Sequence, residues 1–267
     1  MDEQLLCTRH GIFLPSASVY NKNVVKILFI WNIFIVNPRR LLAKNSLMCR
    51  IHNSCSSIAL WFILLTLSGC STIVPKSLQG LDGSITQAII VHPVKKGSYQ
   101  ASLSTWQRQG AAWHRLYFVS AVIGRNGLAA VGEKKEGDVK TPSGRYLLGP
   151  AFGYEPAIVT GLQYRQAGNL DFWVDDVHSL QYNQWVNKTP VAGSFEKMRR
   201  RDNLYQYGIV IGYNTDPIIP GNGSAIFMHV WRGFNFPTAG CVALNERYLR
   251  RILRWLNRQY QPVIILE

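Results

Sequence analysis

The sequence predicts a mostly β domain that ends in a single α-helix. Two observations support this fold class. Short segments rich in Val, Ile, Tyr and Phe are separated by Gly and Pro over most of the chain after residue 85. One segment near the C-terminus instead has its apolar residues at helical spacing. About 180 residues from 86 onward are enough to bury a core.

Six segments have the composition of strands: 88–92, 113–123, 144–148, 207–213, 224–231 and 263–266. The helix follows Asn245, a residue type that caps helices well, and its apolar residues are Leu249, Ile252, Leu253 and Leu256. The stretch 152–205 is aromatic and polar with weak periodicity. We interpret it as loops and short elements around a cleft.

The N-terminal region has the pattern of an export signal. Residues 57–68 are apolar and uncharged, Arg50 precedes them, and Leu67-Ser68-Gly69-Cys70 follows. The last four residues resemble the lipobox of bacterial lipoproteins, in which the cysteine is lipidated. Residue 57 is late for a signal, so Met48 is expected to be the true start. A short membrane anchor or a buried helix is the alternative interpretation of this segment.

These features divide the chain into four parts: 1–47 a misassigned upstream segment, 48–69 a lipoprotein signal peptide, 70–85 a lipidated tether and 86–267 the main folded domain. We therefore expect a lipid-anchored protein of the periplasm or cell envelope. Ser71, rather than Asp, follows Cys70, which is typical of lipoproteins sent to the outer membrane. The formal net charge of +14 would ordinarily suggest nucleic acid. Export favours an anionic envelope instead, with membrane contact through the lipid; the arginines at 199–201 are interpreted as solvated.

Cys241 is the candidate nucleophile. Of the five cysteines at 7, 49, 55, 70 and 241, only Cys70 and Cys241 would remain after removal of the leader. Exported proteins rarely keep a free thiol without a function. His229, at the end of an apolar run and twelve residues before Cys241, is the candidate base. Gly240 allows close approach of a substrate, and amides at or beside Cys241 could bind an oxyanion. We expect no cofactor and no metal.

Two motifs resemble a known family. Residues 224–229 (SAIFMH) with 238–244 (TAGCVAL) resemble the active-site segment of L,D-transpeptidases of the YkuD (ErfK/YbiS/YcfS/YnhG) type. Residues 137–144 (GDVKTPSG) resemble the family's G-D-x-x-T-P-x-G region, which lines its cleft. The resemblance implies a β-rich fold and acyl transfer through a cysteine thioester. It also implies a peptidoglycan stem peptide as substrate, cut between diaminopimelate and D-alanine, with an amine or water as acceptor.

The resemblance and the neighbouring residues give a set of expected substrate contacts: Thr238, Trp231, Arg232, Asp138 and Thr141. Two positions depart from the family pattern. Ala239 stands where a histidine is usual, and Ala243 stands where an arginine is usual. We therefore expect a divergent branch of the family, and the sequence does not predict whether an amine or water accepts the acyl group.

Two other functions are compatible with the residues. Asp171, Asp175, Asp176 and His178 could belong to a metal-dependent hydrolase, although their spacing matches no metal motif. A cell-envelope-binding lipoprotein that kept the fold without the chemistry is the other alternative. Protein partners and oligomeric state are not predicted.

Overall fold

The computed structural model describes residues 73–267, so the predicted signal, Met48 and Cys70 lie outside the described residues. Strands β1–β7 are Gln87–Pro93, Gln100–Gln109, Ala112–Val122, Leu128–Ala129, Thr141–Pro142, Gly144–Gly153 and Tyr164–Gln166. Strands β8–β14 are Phe172–Val174, Gln184–Val186, Phe195–Lys197, Tyr207–Ile211, Phe227–Val230, Val242–Leu244 and Val263–Leu266. Within this part of the chain the single α-helix is α1, Glu246–Trp255, and short 3₁₀ turns span Lys76–Leu78 and Arg258–Tyr260. The predicted fold class is confirmed.

Nine strands form the main sheet, in the order β11-β12-β13-β3-β2-β1-β14-β6-β7. An additional pairing of β11 with β6 closes this sheet on itself. β12 and β13 run parallel, and β13 pairs antiparallel with β3. The pairings of β13 with β12 and with β3 bring together segments that are distant in sequence.

Helix α1 packs against the core with the predicted apolar stripe. Leu249, Ile252, Leu253 and Leu256 are buried, and the side chain of Asn245 accepts a hydrogen bond from the Arg247 N–H at the helix start. None of the helices among residues 73–267 is both long enough and apolar enough to cross a bilayer. Leu78 and Leu81, within the predicted tether, pack in a cluster with Trp106 and Ile265.

The sequence prediction lacks strands β2, β4, β5 and β13, and it gives no strand bounds within residues 152–205. β2 was not predicted because its sequence, QASLSTWQRQ, is mostly polar, yet it pairs along its length with β1 and β3. The segment 152–205 was interpreted as loops and short elements; its short elements are β7 and a separate three-stranded sheet, β10-β8-β9. These strands have only three residues each, too few for alternation to show.

Candidate active site

Strand pairing places His229 and Cys241 on one face of the sheet. His229 on β12 is directly opposite Ala243 on β13. Cys241 precedes Ala243 by two residues, and side chains two apart on an extended chain share a face. The two side chains therefore point to the same side, and each is 7% exposed.

The thiol of Cys241 is held by the backbone that leads into β12. Its Sγ donates to the Ala225 carbonyl at 3.2 Å and accepts from the Phe227 N–H at 3.4 Å. Ala225 has φ of 53°, a left-handed conformation that costs a non-glycine residue roughly 1–2 kcal/mol. Its N–H donates to Oδ1 of Asn183. This turn explains why β12 begins at Phe227 rather than at the predicted residue 224.

The imidazole of His229 has a defined tautomer. Its Nδ1 lies 2.8 Å from the Val230 carbonyl oxygen, which can only accept, so Nδ1 carries the proton. In the neutral ring Nε2 is then left as an acceptor. The ring of Tyr205 packs edge-on against the imidazole at a centroid distance of 5.1 Å. A backbone carbonyl thus orients the histidine where many triads use a carboxylate.

A cavity of about 270 Å³ opens over these residues. One wall comes from the β12–β13 region and consists of His229, Thr238, Ala239, Cys241 and Ala243. The other walls include Arg125, Glu196, Arg200, Tyr205 and Arg232. The two alanines that depart from the family pattern therefore both face the cavity.

Charged groups of both signs surround the cavity. The Tyr205 hydroxyl donates to the Glu196 carboxylate, and the Arg200 guanidinium lies over the Tyr205 ring at 4.9 Å. Arg200 also binds Asp202 with two hydrogen bonds. Burial raises the pKa of Glu196, and the hydrogen bond from Arg200 lowers the pKa of Asp202.

Burial keeps the cysteine and histidine neutral in the absence of substrate. Loss of solvent raises the pKa of the Cys241 thiol to about 12, and the nearby Glu196 carboxylate adds to the effect. Loss of solvent likewise lowers the pKa of His229 to about 4, against the opposing effect of the Val230 carbonyl. The resting site at pH 7 is a neutral thiol and a neutral imidazole.

The raised thiol pKa predicts how Cys241 reacts with iodoacetamide. Between pH 7 and 10 the alkylation rate should rise about tenfold per pH unit, because thiolate accumulates without a plateau below a pKa of about 12. An ordinary thiol with a pKa of about 8.5 levels off in this range, and the urea-unfolded protein provides that control. Mass spectrometry of the Cys241 peptide separates this reaction from the other cysteines. A plateau anywhere between pH 7 and 10 in the folded protein contradicts the prediction.

Thr141 holds the loop that carries Cys241, residues 237–241 (the cysteine loop), from the side away from the cavity. Its side chain is fully buried, donates to the Gly240 carbonyl at 2.6 Å and accepts from the Gly124 N–H at 2.9 Å. A Cβ on Gly124 would lie 2.6 Å from the Val139 carbonyl, so only glycine fits there. On the cavity side, the Thr238 hydroxyl donates to the Cys241 carbonyl and accepts from the Gly240 N–H. Two threonines thus fix the backbone on either side of the thiol.

Replacing Thr141 by valine should destabilise the domain by about 1–3 kcal/mol, because two buried backbone groups lose their partner. Thr141→Ser retains the hydroxyl and should recover most of that loss. Urea unfolding followed by circular dichroism measures the difference. Equal free energies of unfolding for the valine variant and the parent would show that the hydroxyl does not support the loop.

The remaining predicted residues lie at several distances from the cavity. Arg232 lines it, whereas Trp231 lies outside the lining and packs on Phe234. Asp138 and Thr141 also lie outside the lining. Asp138 accepts hydrogen bonds from Lys134 Nζ and from the N–H groups of Lys135 and Lys140. The motif G-D-x-x-T-P-x-G therefore lies behind the cysteine loop.

Sequence reasoning missed four polar or charged lining residues, namely Arg125, Glu196, Arg200 and Tyr205. Arg200 was interpreted as a solvated charge, but it is partly buried against Tyr205. Three of the four come from residues 196–205, where the sequence shows weak periodicity. The run Arg199-Arg200-Arg201-Asp202 was the available signal, since it places opposite charges close together in sequence.

The acidic residues of the hydrolase alternative have other partners. Asp171 accepts hydrogen bonds from Arg165 and from the Trp185 indole, and Asp176 accepts from the N–H groups of His178 and Gly193. Across residues 73–267 no group of three or more His, Cys, Asp or Glu side chains is arranged to hold a metal ion.

Comparison with known proteins connects this site to a family. The family model described as YkuD, the L,D-transpeptidase catalytic domain, matches residues 98–265. A solved structure titled as that of Bdellovibrio bacteriovorus Bd1075 is similar at 15% identity and a TM-score of 0.37. The alignment covers 68% of this chain and 48% of that one, so this chain spans about half of Bd1075. No curated protein matches. Because the family match covers more than half of the chain and includes both motifs, the protein belongs to the YkuD family of L,D-transpeptidase catalytic domains.

Proposed function

We propose that the protein catalyses acyl transfer on peptidoglycan stem peptides through a thioester on Cys241, with His229 as the base. The observation that carries the proposal is the shared cavity. The Cys241 thiol and the His229 imidazole line one small cavity. Because Nδ1 of His229 donates its proton to the Val230 carbonyl, Nε2 is the nitrogen that can accept the thiol proton. Family membership supplies the expected substrate class.

In the first step the Sγ of Cys241 attacks the carbonyl carbon of diaminopimelate, and Nε2 of His229 takes the thiol proton. Because both groups are neutral at rest, attack and proton transfer are coupled rather than preceded by a stable thiolate. The C–N bond to D-alanine then breaks, and His229 returns the proton to the leaving amine. The product is a thioester and free D-alanine.

In the second step an acceptor amine or water attacks the thioester carbonyl. His229 takes a proton from the acceptor, and the thiolate that leaves is reprotonated, which restores the starting state. An amine acceptor gives a cross-link, whereas water gives a shortened stem peptide. Ala239 and Ala243 line the cavity at positions where larger side chains are usual in the family. The proposal therefore does not specify whether an amine or water is the acceptor.

An oxyanion forms in both steps and requires donors. The Gly240 N–H already donates to the Thr238 hydroxyl at 3.2 Å. We therefore propose the Cys241 N–H as the donor that stabilises the oxyanion. Arg232 and Thr238 line the cavity and are proposed to contact substrate. For Thr141 and Asp138 we propose a positioning role behind the loop, since their hydrogen bonds hold its backbone. The N-terminal lipid anchor at Cys70 and attachment to the cell envelope are parts of the same proposal.

The function is tested by incubating the protein, purified in mild detergent, with the tetrapeptide L-Ala-γ-D-Glu-diaminopimelyl-D-Ala. Chromatography should show release of D-alanine together with tripeptide or a cross-linked dimer. Adding a free D-amino acid as acceptor should give an exchanged tetrapeptide if an amine takes the acyl group. Absence of D-alanine and of all three acyl products (tripeptide, dimer and exchanged tetrapeptide) from a folded protein would exclude the proposed reaction.

One observation favours a second candidate, an envelope-binding protein without catalysis. Burial raises the pKa of Cys241 far above the range of activated cysteines. A binding protein would hold the tetrapeptide with a measurable Kd and release no D-alanine over hours. The product assay therefore separates the two functions.

A further inference from the structure

The three arginines of the cavity differ in how far their charge is neutralised. Arg200 lies 2.7 Å from Asp202, and Arg232 lies 3.7 Å from the same carboxylate. Arg125 forms no ion pair with any carboxylate of residues 73–267. Arg125 therefore brings an uncompensated positive charge to the cavity wall.

The backbone of Arg125 is bonded to the loop that carries Cys241. Its N–H donates to the Thr238 carbonyl at 3.0 Å, and the preceding Gly124 forms a parallel bridge with Thr238. The Gly124 N–H is held by the buried Thr141 hydroxyl, as described above. The guanidinium thus extends from a backbone whose position relative to the thiol is fixed.

Arg125 and the uncharged Ala243 line the same cavity. Arg125 lies three residues after Val122, the last residue of β3, and Val122 pairs with Ala243 on β13. A methyl group at 243 cannot bind an anion. The exposed Arg125 is the charged group on this side of the cavity.

The chemistry of the proposed reaction places an anion near this point. The bond that Cys241 attacks is the last one of the tetrapeptide, so the leaving residue carries the terminal carboxylate two bonds from the scissile nitrogen. A guanidinium binds a carboxylate with two parallel hydrogen bonds. An internal residue has no such carboxylate. A cavity of about 270 Å³ is also small for a ligand site, which suits a chain end.

We propose that Arg125 binds the terminal carboxylate of the donor peptide and so restricts attack to the last peptide bond. Arg125 is a specificity-determining residue in this assignment and takes no part in proton transfer. The inference rests on the proposed function for its substrate. Its binding step, however, can be measured without turnover.

The test compares two peptides and two proteins in the Cys241→Ala background, in which no thioester forms. The probes are the tetrapeptide with a free terminal carboxylate and the same peptide as a terminal carboxamide. Calorimetry should show the acid binding roughly 10- to 100-fold more tightly than the amide, as expected for one charge-assisted pair. Adding Arg125→Gln should remove this preference, and Arg125→Lys should keep part of it. Arg145→Gln, a change at an exposed arginine outside the cavity lining, should leave the preference unchanged.

The outcomes separate this inference from the proposed function. A preference for the acid that persists in Arg125→Gln overturns the inference, and so does equal or undetectable binding of both peptides to the parent. If the acid is preferred through Arg125 but the protein with Cys241 intact releases no D-alanine, the inference stands and the catalytic proposal fails. If the parent releases D-alanine from the acid peptide and D-alaninamide from the amide peptide at equal rates, the catalytic proposal stands and the inference fails.

Discussion

Replacing Cys241 by alanine is expected to abolish D-alanine release and leave the domain folded. The thiol is the proposed nucleophile, and in cysteine and serine enzymes loss of the nucleophile typically removes most of the rate enhancement. The structural cost is small because Sγ makes only two hydrogen bonds, to Ala225 and Phe227. We expect a loss of about 1 kcal/mol in the free energy of unfolding.

Cys241→Ser is the matched control for this prediction. A hydroxyl can keep the two hydrogen bonds, so the serine variant should match the parent in thermal unfolding. It should nevertheless be inactive, because a buried serine hydroxyl is a much weaker nucleophile than a thiol. Chromatographic assay of D-alanine measures activity, and circular dichroism measures folding. An alanine variant that retains turnover would remove Cys241 from the mechanism.

Replacing His229 by glutamine is expected to lower kcat roughly 10²- to 10⁴-fold, the usual contribution of a positioned general base. Glutamine can still donate a hydrogen bond to the Val230 carbonyl, so the packing against Tyr205 is largely kept. With the base removed, the residual rate should increase about tenfold per pH unit above pH 7, as hydroxide generates thiolate. A residual rate independent of pH would contradict the assignment of His229 as base.

The pH profile of the parent enzyme has a distinctive acid limb. Because burial lowers the pKa of His229 to about 4, the imidazole stays neutral and able to accept a proton well below pH 6.5. Activity measured as kcat/KM should therefore hold to about pH 5 and fall as the pH passes through 4. Circular dichroism at each pH checks that the domain is folded. A midpoint near pH 6.5 would mean that His229 is exposed to solvent.

The parts of the fold that the sequence predicts are those in which one segment contains the whole signal. Helix α1 is specified by a cap at Asn245 and an apolar stripe, and the structure confirms both. β14 has four consecutive apolar residues between turns, and its predicted bounds are those of the structure. By contrast, β2 is a central strand whose sequence is mostly polar. Its position follows from pairing with β1 and β3, which no local pattern reveals.

The residues of the candidate site likewise fall into those that one segment predicts and those that only contacts between segments reveal. His229, Gly240 and Cys241 lie in one short stretch, so their association could be inferred from spacing and family resemblance. Arg125 reaches the cavity because it follows β3, which pairs with β13, and Glu196 reaches it from β10. The left-handed turn at Ala225 also has no sequence signal, since alanine rarely adopts it. Contacts between distant segments decide these features.

Location of a covalent acyl group is the most direct test of the central claim. The protein would be mixed with the tetrapeptide, quenched in acid within seconds and digested, and the Cys241 peptide weighed by mass spectrometry. The account predicts a mass increase equal to the acyl tripeptide on Cys241, absent from Cys241→Ala and labile to hydroxylamine. D-alanine release without any adduct on Cys241, or an adduct on another residue, would contradict it.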